Sequence, residues 1–214
     1  MKKKKLTLLT TAILIGSIGT VNASLISQDL SAQGDGLLTY DSTTGLSWLD
    51  LTQTVGKTYN EVLAGFGGFT TSLGFRYATE IEFSKLLTDA DITEGVSNTN
   101  DVTNINNTMR LINFFGVLTT DGHTYQSIGY ISDPSSLGQG DHALGELAVN
   151  DIGRYVALSS VVVNSSFQQA NQGVTGSFLV KEQASSVPEP TTMLLVGTGL
   201  AWFVGAKIKK NKIY

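Results

Sequence analysis

Residues 76–90 read "RYATEIEFSKLLTDA", and this stretch decides how the rest of the chain divides. Thr79 and Glu82 stand three residues apart just ahead of an apolar run. That is the spacing of a capping box, in which each side chain covers the other's backbone N–H. The run predicts a helix that turns Ile81 and Leu86 inward, with Phe83 and Leu87 beside them. Upstream, "LLTYDSTTGLSWLDL" (37–51) holds two short apolar runs around Asp41 and Gly45, the pattern of a hairpin. Residues 59–66 set Val62, Leu63 and Phe66 at helical spacing behind a second box, Thr58 with Glu61. "GFGGFTTSLG" (65–74) is a glycine-rich loop without the Lys-Ser/Thr pair that phosphate binding needs. Residues 94–100 are polar and are expected to form a loop. A helix is expected at 102–115, with Ile105, Met109, Ile112 and Phe115 facing the core.

After Gly116 the pattern changes to strands. "VLTT" and "TYQSIGYIS" flank Asp121-Gly122, a strong hairpin signal, and residues 150–153 part "HALGELAV" from "RYVALSSVVV". "GSFLVKE" (176–182) predicts a final strand, alternating Phe178 and Val180 against Leu179 and Lys181 and closing on the first strands. Helices in the first half, framed by strands, predict an α+β fold: one domain with an antiparallel sheet and about two helices.

Both ends of the chain carry targeting features. Residues 2–5 are lysines, residues 6–18 are apolar, and "VNA" ends at Ala23. This order predicts a signal peptide over 1–23, cut by signal peptidase between Ala23 and Ser24. The other end, "VPEPTTMLLVGTGLAWFVGAKIKKNKIY" (187–214), joins the box Val187, Pro188, Glu189 and Pro190 to an uncharged apolar run and a lysine-rich tail. At about 1.5 Å per residue the run reaches the lower limit for crossing a hydrocarbon core. A transmembrane helix is therefore expected over 191–206, with the basic tail 207–214 left in the cytoplasm. The order of box, apolar run and lysines resembles the PEP-CTERM sorting signal of Gram-negative bacteria, carried by Pro188, Glu189 and Pro190. That resemblance implies cleavage by a membrane-embedded exosortase. It also implies anchoring in the inner membrane before processing and a final place at the cell surface or in extracellular matrix.

The exported part, residues 24–186, is long enough for one domain with a full core. Setting aside the eight lysines of the two ends and Glu189 leaves six basic and seventeen acidic residues, so the domain carries about −11. Such a surface repels phosphate backbones, which excludes nucleic acid as a partner. The chain has no cysteine, which excludes thiol catalysis and cysteine-ligated zinc and leaves stability to the core.

A second resemblance covers the domain in short blocks: "TGLSWLD" (44–50), "GFRYATEIEF" (74–83), "GYISD" (129–133) and "GSFLVKE" (176–182). In this order they look like a large bacterial surface family that includes the C-terminal domain of collagen-like adhesins, with a C-type-lectin-like fold. The resemblance implies a core role for Trp48, a buried or loop-fixing role for Arg76, and a helix cap at Thr79 and Glu82. Phe75 departs from the family's Trp, and Tyr77-Ala78 from its Leu-Pro.

No residues form an obvious catalytic set. The two histidines, His123 and His142, are expected to be solvated loop residues. Calcium is the ion the chemistry would favour, with Asp133, Asp141 and Glu146 flanking one loop, but no EF-hand spacing exists and no cofactor is expected. Ser127, Ser132 and Ser159 lie in no nucleophile elbow. Among the aromatic residues, Tyr77 and Tyr125 are expected to be exposed, while Trp48, Tyr130 and Tyr155 are expected in the core. The candidate ligand surface is the loop bearing Asp133, Gln139, Asp141 and His142, which gathers polar groups between strands. The chain therefore reads as a non-catalytic binding or adhesion module, exopolysaccharide- or biofilm-associated, with a glycan or matrix protein as partner. The alternative, a secreted hydrolase acting on matrix polymers, would need two carboxylates converging in one cleft.

Overall fold

The computed structural model describes residues 25–97, 101–120, 122–134, 137–138, 140–164 and 172–183. In chain order the strands are β1 (Leu25–Gln28), β2 (Leu38–Asp41), β3 (Leu46–Leu49), β4 (Arg76–Tyr77), β5 (Gly95–Ser97) and β6 (Thr119–Thr120). They continue with β7 (Thr124–Tyr130), β8 (His142–Asn150), β9 (Tyr155–Val163), β10 (Gly176–Ser177) and β11 (Leu179–Glu182). The helices are α1 (Tyr59–Leu63), α2 (Glu80–Asp89) and α3 (Val102–Phe115). The fold is α+β, with two sheets where the sequence suggested one and three α-helices where it suggested about two.

The first sheet runs β1-β2-β3-β11-β4 and the second β10-β7-β8-β9-β5, with β6 on β7. All pairings are antiparallel except β10 with β7. The last predicted strand divides at Phe178. Ser177 pairs with Tyr130 in the second sheet, and Val180 pairs with Trp48 in the first. The Phe178 amide donates to the Tyr130 carbonyl at 2.8 Å, and its carbonyl accepts from the Ala78 amide at 2.9 Å. One residue thus stitches the sheets together while its ring fills the core. The final segment does close on the first strands, as expected, but only its second half.

Both faces of the first sheet are covered at its centre, around β3, so the simple alternation of a half-wet strand fails there. All four residues of β3 are buried. Trp48 meets Phe83, Phe115 and Phe178 edge-on, at centroid distances of 6.1, 6.0 and 6.4 Å. Leu49 belongs to a second cluster with Val62, Phe69 and Phe75. Helices α2 and α3 contribute to the first cluster, α1 and the glycine-rich loop to the second. Gly129 and Gly145, paired across β7 and β8, keep the first cluster dense. A Cβ on Gly129 would lie 2.7 Å from Leu51 Cδ2, and one on Gly145 2.9 Å from Phe83 Cε1.

Local signals hold well. Thr58 with Glu61 and Thr79 with Glu82 both form complete capping boxes, and α3 occupies 102–115 as expected. The helix faces need three corrections. Ile81 is 81% exposed, because the buried stripe of α2 is Phe83, Leu86, Leu87 and Ala90 and Ile81 lies about 200° from Phe83. In α1, which ends at Leu63, only Val62 is buried, and Leu63 and Phe66 are exposed. In α3 the buried set is Asn104, Thr108, Leu111, Ile112 and Phe115, with Ile105 and Met109 packed partly against it. A further correction concerns residues 94–100, read as loop: 95–97 form β5, paired with β9. There the Glu94 carboxylate accepts the Ser159 amide at 2.7 Å.

The chain enters and leaves the domain at one end of the first sheet. Leu25 pairs with Asp41, and the Gln183 amide donates to the Gly45 carbonyl at 3.1 Å, so both ends flank the β2–β3 turn. Among the described residues no helix is long and apolar enough to cross a membrane. The predicted signal peptide, the Ala23–Ser24 cut, the box at 187–190 and the span at 191–206 lie outside the described residues.

Candidate functional site

The Thr58 box fixes the start of α1 and with it Tyr59, the first helical residue. The Tyr59 ring is sandwiched: Tyr77 of β4 stacks on one side at 4.3 Å and His142 of β8 stacks on it at 4.4 Å. Tyr130, at the end of β7, meets Tyr59 edge-on at 6.1 Å and His142 at 5.7 Å. The Tyr77 hydroxyl lies 3.1 Å from the Tyr59 carbonyl and 3.2 Å from Ser177 Oγ. Burial raises the ionisation of Tyr59, Tyr77 and Tyr130 above the ordinary value of 10, and the Asp133 charge adds to this at Tyr59 and Tyr77.

Asp133 and His142, two of the four candidate loop residues, are brought together here. His142 Nδ1 lies 2.7 Å from Asp133 Oδ2, and Asp133 Oδ1 accepts the Ala143 amide at 2.9 Å. The expectation that His142 is a solvated loop residue is therefore corrected. It opens β8 with only 11% of its side chain exposed, because two aromatic rings from other elements, Tyr59 and Tyr130, pack against it. Asp141 sits just ahead, its amide donating to the Gly138 carbonyl at 3.2 Å, and Gln139 lies outside the described residues. Tyr77 is also corrected: it is 6% exposed, whereas Tyr125 is 41% exposed as expected. Trp48, Tyr130 and Tyr155 are buried.

Beside the stack lies a cleft of about 540 Å³, lined by Tyr59, Leu63, Thr70, Phe75, Arg76, Tyr77, Thr79 and Ser132. Arg76 forms its rim and is clamped to α2. Its Nη1 and Nη2 donate to the two Glu82 oxygens at 2.8 and 2.6 Å, and Nη1 also reaches the Tyr77 carbonyl at 3.2 Å. The same Glu82 oxygen that completes the cap accepts the Thr79 amide at 2.8 Å. Arg76 and the cap together hold the Glu82 carboxyl down at about 2. Arg76 thus fixes the β4–α2 junction. Nothing local signals the stack, since its rings come from four distant segments.

The other acidic groups are dispersed. Glu146 accepts from Gln126 Nε2 at 2.9 Å, away from Asp133, and among the described residues no group of three or more His, Asp or Glu side chains could hold a metal ion. The candidate serines have other roles too: Ser127 Oγ donates to the Gly116 carbonyl at 2.7 Å, and Ser159 engages Glu94.

Residues 186–210 match a family described as the PEP-CTERM protein-sorting motif, covering the whole box, the apolar run and the first lysines of the tail. The chain carries a PEP-CTERM sorting signal. It is accordingly an exosortase-sorted exported protein, held in the membrane by its C-terminal region before processing. No curated protein and no solved structure matches the chain, so the lectin-like resemblance gains no support from either comparison.

Proposed function

We propose that this PEP-CTERM protein is a non-catalytic binding module of the cell surface or extracellular matrix, and that the cleft beside the Tyr77–Tyr59–His142 stack takes an uncharged glycan. The observation that carries this reading is the state of the charges around the cleft. Arg76 is spent on Glu82, and Asp133 on His142 and the Ala143 amide. What the cleft offers a ligand is chiefly the Ser132 hydroxyl beside apolar surface, with the remaining acceptor positions of Thr70 and Thr79, whose hydroxyls donate to the Val62 carbonyl and to Glu82. A ligand would be met by hydrogen bonding and shape, as suits a domain whose overall charge repels anions.

The test is a neutral and acidic polysaccharide array probed with the processed protein, with and without calcium. Binding to neutral glycans, indifferent to chelator and nearly flat with salt, is expected. Release of reducing ends from the bound polymer would replace the reading with the hydrolase one. We also propose cleavage between Ala23 and Ser24 and removal of the lysine tail, motivated by the "VNA" site and the matched motif. Intact mass of the surface-released protein should lack both ends. Glu189→Ala should leave it in the inner membrane, and recovery of the full-length chain from an exosortase-positive host would refute the processing.

A further inference from the structure

The cleft continues beyond its own walls. A second depression of about 220 Å³ shares Thr79 and Ser132 with it and adds Asp133, Pro134, Glu80 and Ile81. A third, of about 500 Å³, shares Glu80 and Ile81 with the second and runs on past Ser84 and Thr88 to Glu94 and Ser159. Because neighbours share lining residues, the three form one track, from the glycine-rich loop over the cap of α2 and along its outer face. From Thr79 to Thr88 alone, the helix rise gives about 14 Å of length. Residues 80, 81, 84, 85 and 88 lie on one side of α2, opposite the buried Phe83, Leu86 and Leu87. This accounts for Ile81, the most exposed large apolar side chain described, standing at the join of two depressions.

Charged groups along the track are engaged by neighbours as they are in the cleft, except the exposed Glu80 carboxylate, which repels an anionic ligand. Lys85 pairs with Asp89, and Glu94 holds the Ser159 amide and the Ser84 hydroxyl. The hydroxyls of Thr79, Ser132, Ser84, Thr88 and Ser159 recur from one end to the other; those of Thr79, Ser84, Thr88 and Ser159 donate within the protein, so they meet a ligand as acceptors. Two sheet edges border the track: β4, two residues long with its Tyr77 carbonyl accepting from Arg76, and β9 beyond Ala157, whose Ser159 amide is taken by Glu94. Where they line the track, neither offers the unbroken main-chain ladder by which an extended peptide is recognised. We propose that the track binds a linear, uncharged glycan chain lengthwise, centred on Thr79 and Ser132, with Ile81 packing against a sugar ring at an outer subsite. The proposal rests on the cleft being the glycan site and adds that the ligand is a chain, bound across several units.

The experiment is a length series. The processed protein is titrated calorimetrically with neutral gluco-oligosaccharides and N-acetylglucosamine oligomers from disaccharide to octasaccharide. Affinity is expected to rise by about tenfold or more with length. Thr88→Tyr and Ile81→Asp, both at exposed positions, are expected to bring the octasaccharide down to the disaccharide's affinity while leaving the disaccharide unchanged. Melting curves confirm that both variants are folded. Equal affinity for all lengths, or no effect of either variant on the octasaccharide, overturns the track while the cleft reading stands. Binding of no oligomer overturns both. Binding of an unfolded polypeptide, carboxymethylated lactalbumin, in place of every glycan also overturns both and makes the track a peptide groove.

Discussion

The two histidines make nearly the same bond in very different surroundings. His123 Nδ1 lies 2.6 Å from Asp151 Oδ2 and His142 Nδ1 lies 2.7 Å from Asp133 Oδ2. The first pair's side chains are 73% and 52% exposed, at the tips of two hairpins, while the second pair's are 11% and 25% exposed beside a cleft. A histidine–aspartate contact therefore marks nothing by itself. Desolvation and packed rings separate a structural hub from a surface contact, because an exposed pair is screened and costs side-chain entropy, whereas a buried one leaves an uncompensated group when broken.

The largest expected consequence is in stability. His142→Ala removes a ring stacked on Tyr59 and leaves Asp133 without its partner, and should cost about 2–3 kcal/mol. His123→Ala should cost less than about 0.5 kcal/mol. Urea denaturation of both variants measures the contrast, and equal losses would break it.

The aromatic groups around His142 give the next effect. Tyr59, Tyr77 and Tyr130 all ionise above 10 in the folded protein. Their contribution to stability is therefore complete below pH 10 and is lost as pH rises through the raised values. Spectrophotometric titration at alkaline pH should show a group of tyrosines ionising late, together with unfolding. His142→Ala should bring part of that group back toward 10, and His123→Ala should not.

A smaller version of the same contrast separates the two capping boxes. Glu61 has Lys57 at 3.9 Å, whereas Glu82 is gripped by Arg76 at 2.6 and 2.8 Å. Thr79→Ala should cost about 1 kcal/mol, and Thr58→Ala, on a helix of five residues, less. Because Arg76 holds Glu82 down at about 2, that group's contribution is complete above its ordinary 4.5 and is lost as pH falls toward 2. Acid unfolding curves should flatten over this window in Arg76→Ala. An unchanged curve would mean that the clamp does not persist in solution.

These contrasts also show what the sequence could and could not reveal. The caps at Thr58 and Thr79, the hairpin at Gly45 and the extent of α3 were legible because each depends on residues a few positions apart. The sheet change at Phe178 was not, because alternation along "GSFLVKE" presumes a single sheet with one wet face, and Leu179 and Val180 are both fully buried. Ile81 was misplaced because apolar character alone does not fix the helix phase, which is set by the sheet that Phe83 and Leu87 meet. For His142, the loop context suggested solvent, and nothing local signalled that Tyr59 and Tyr130 converge on it. The sorting signal was the opposite case, a contiguous pattern read whole from the chain and matched over residues 186–210.

One measurement bears most directly on whether the His142 side is the working face of the domain. Ser132→Trp would fill the cleft, and His123→Trp would add the same ring at the exposed hairpin. Equilibrium binding of both processed variants to the neutral glycan selected on the array should show affinity lost in Ser132→Trp and kept in His123→Trp, with melting curves confirming the folds. Loss in His123→Trp with binding intact in Ser132→Trp would place the ligand on the other end of the molecule and contradict the cleft.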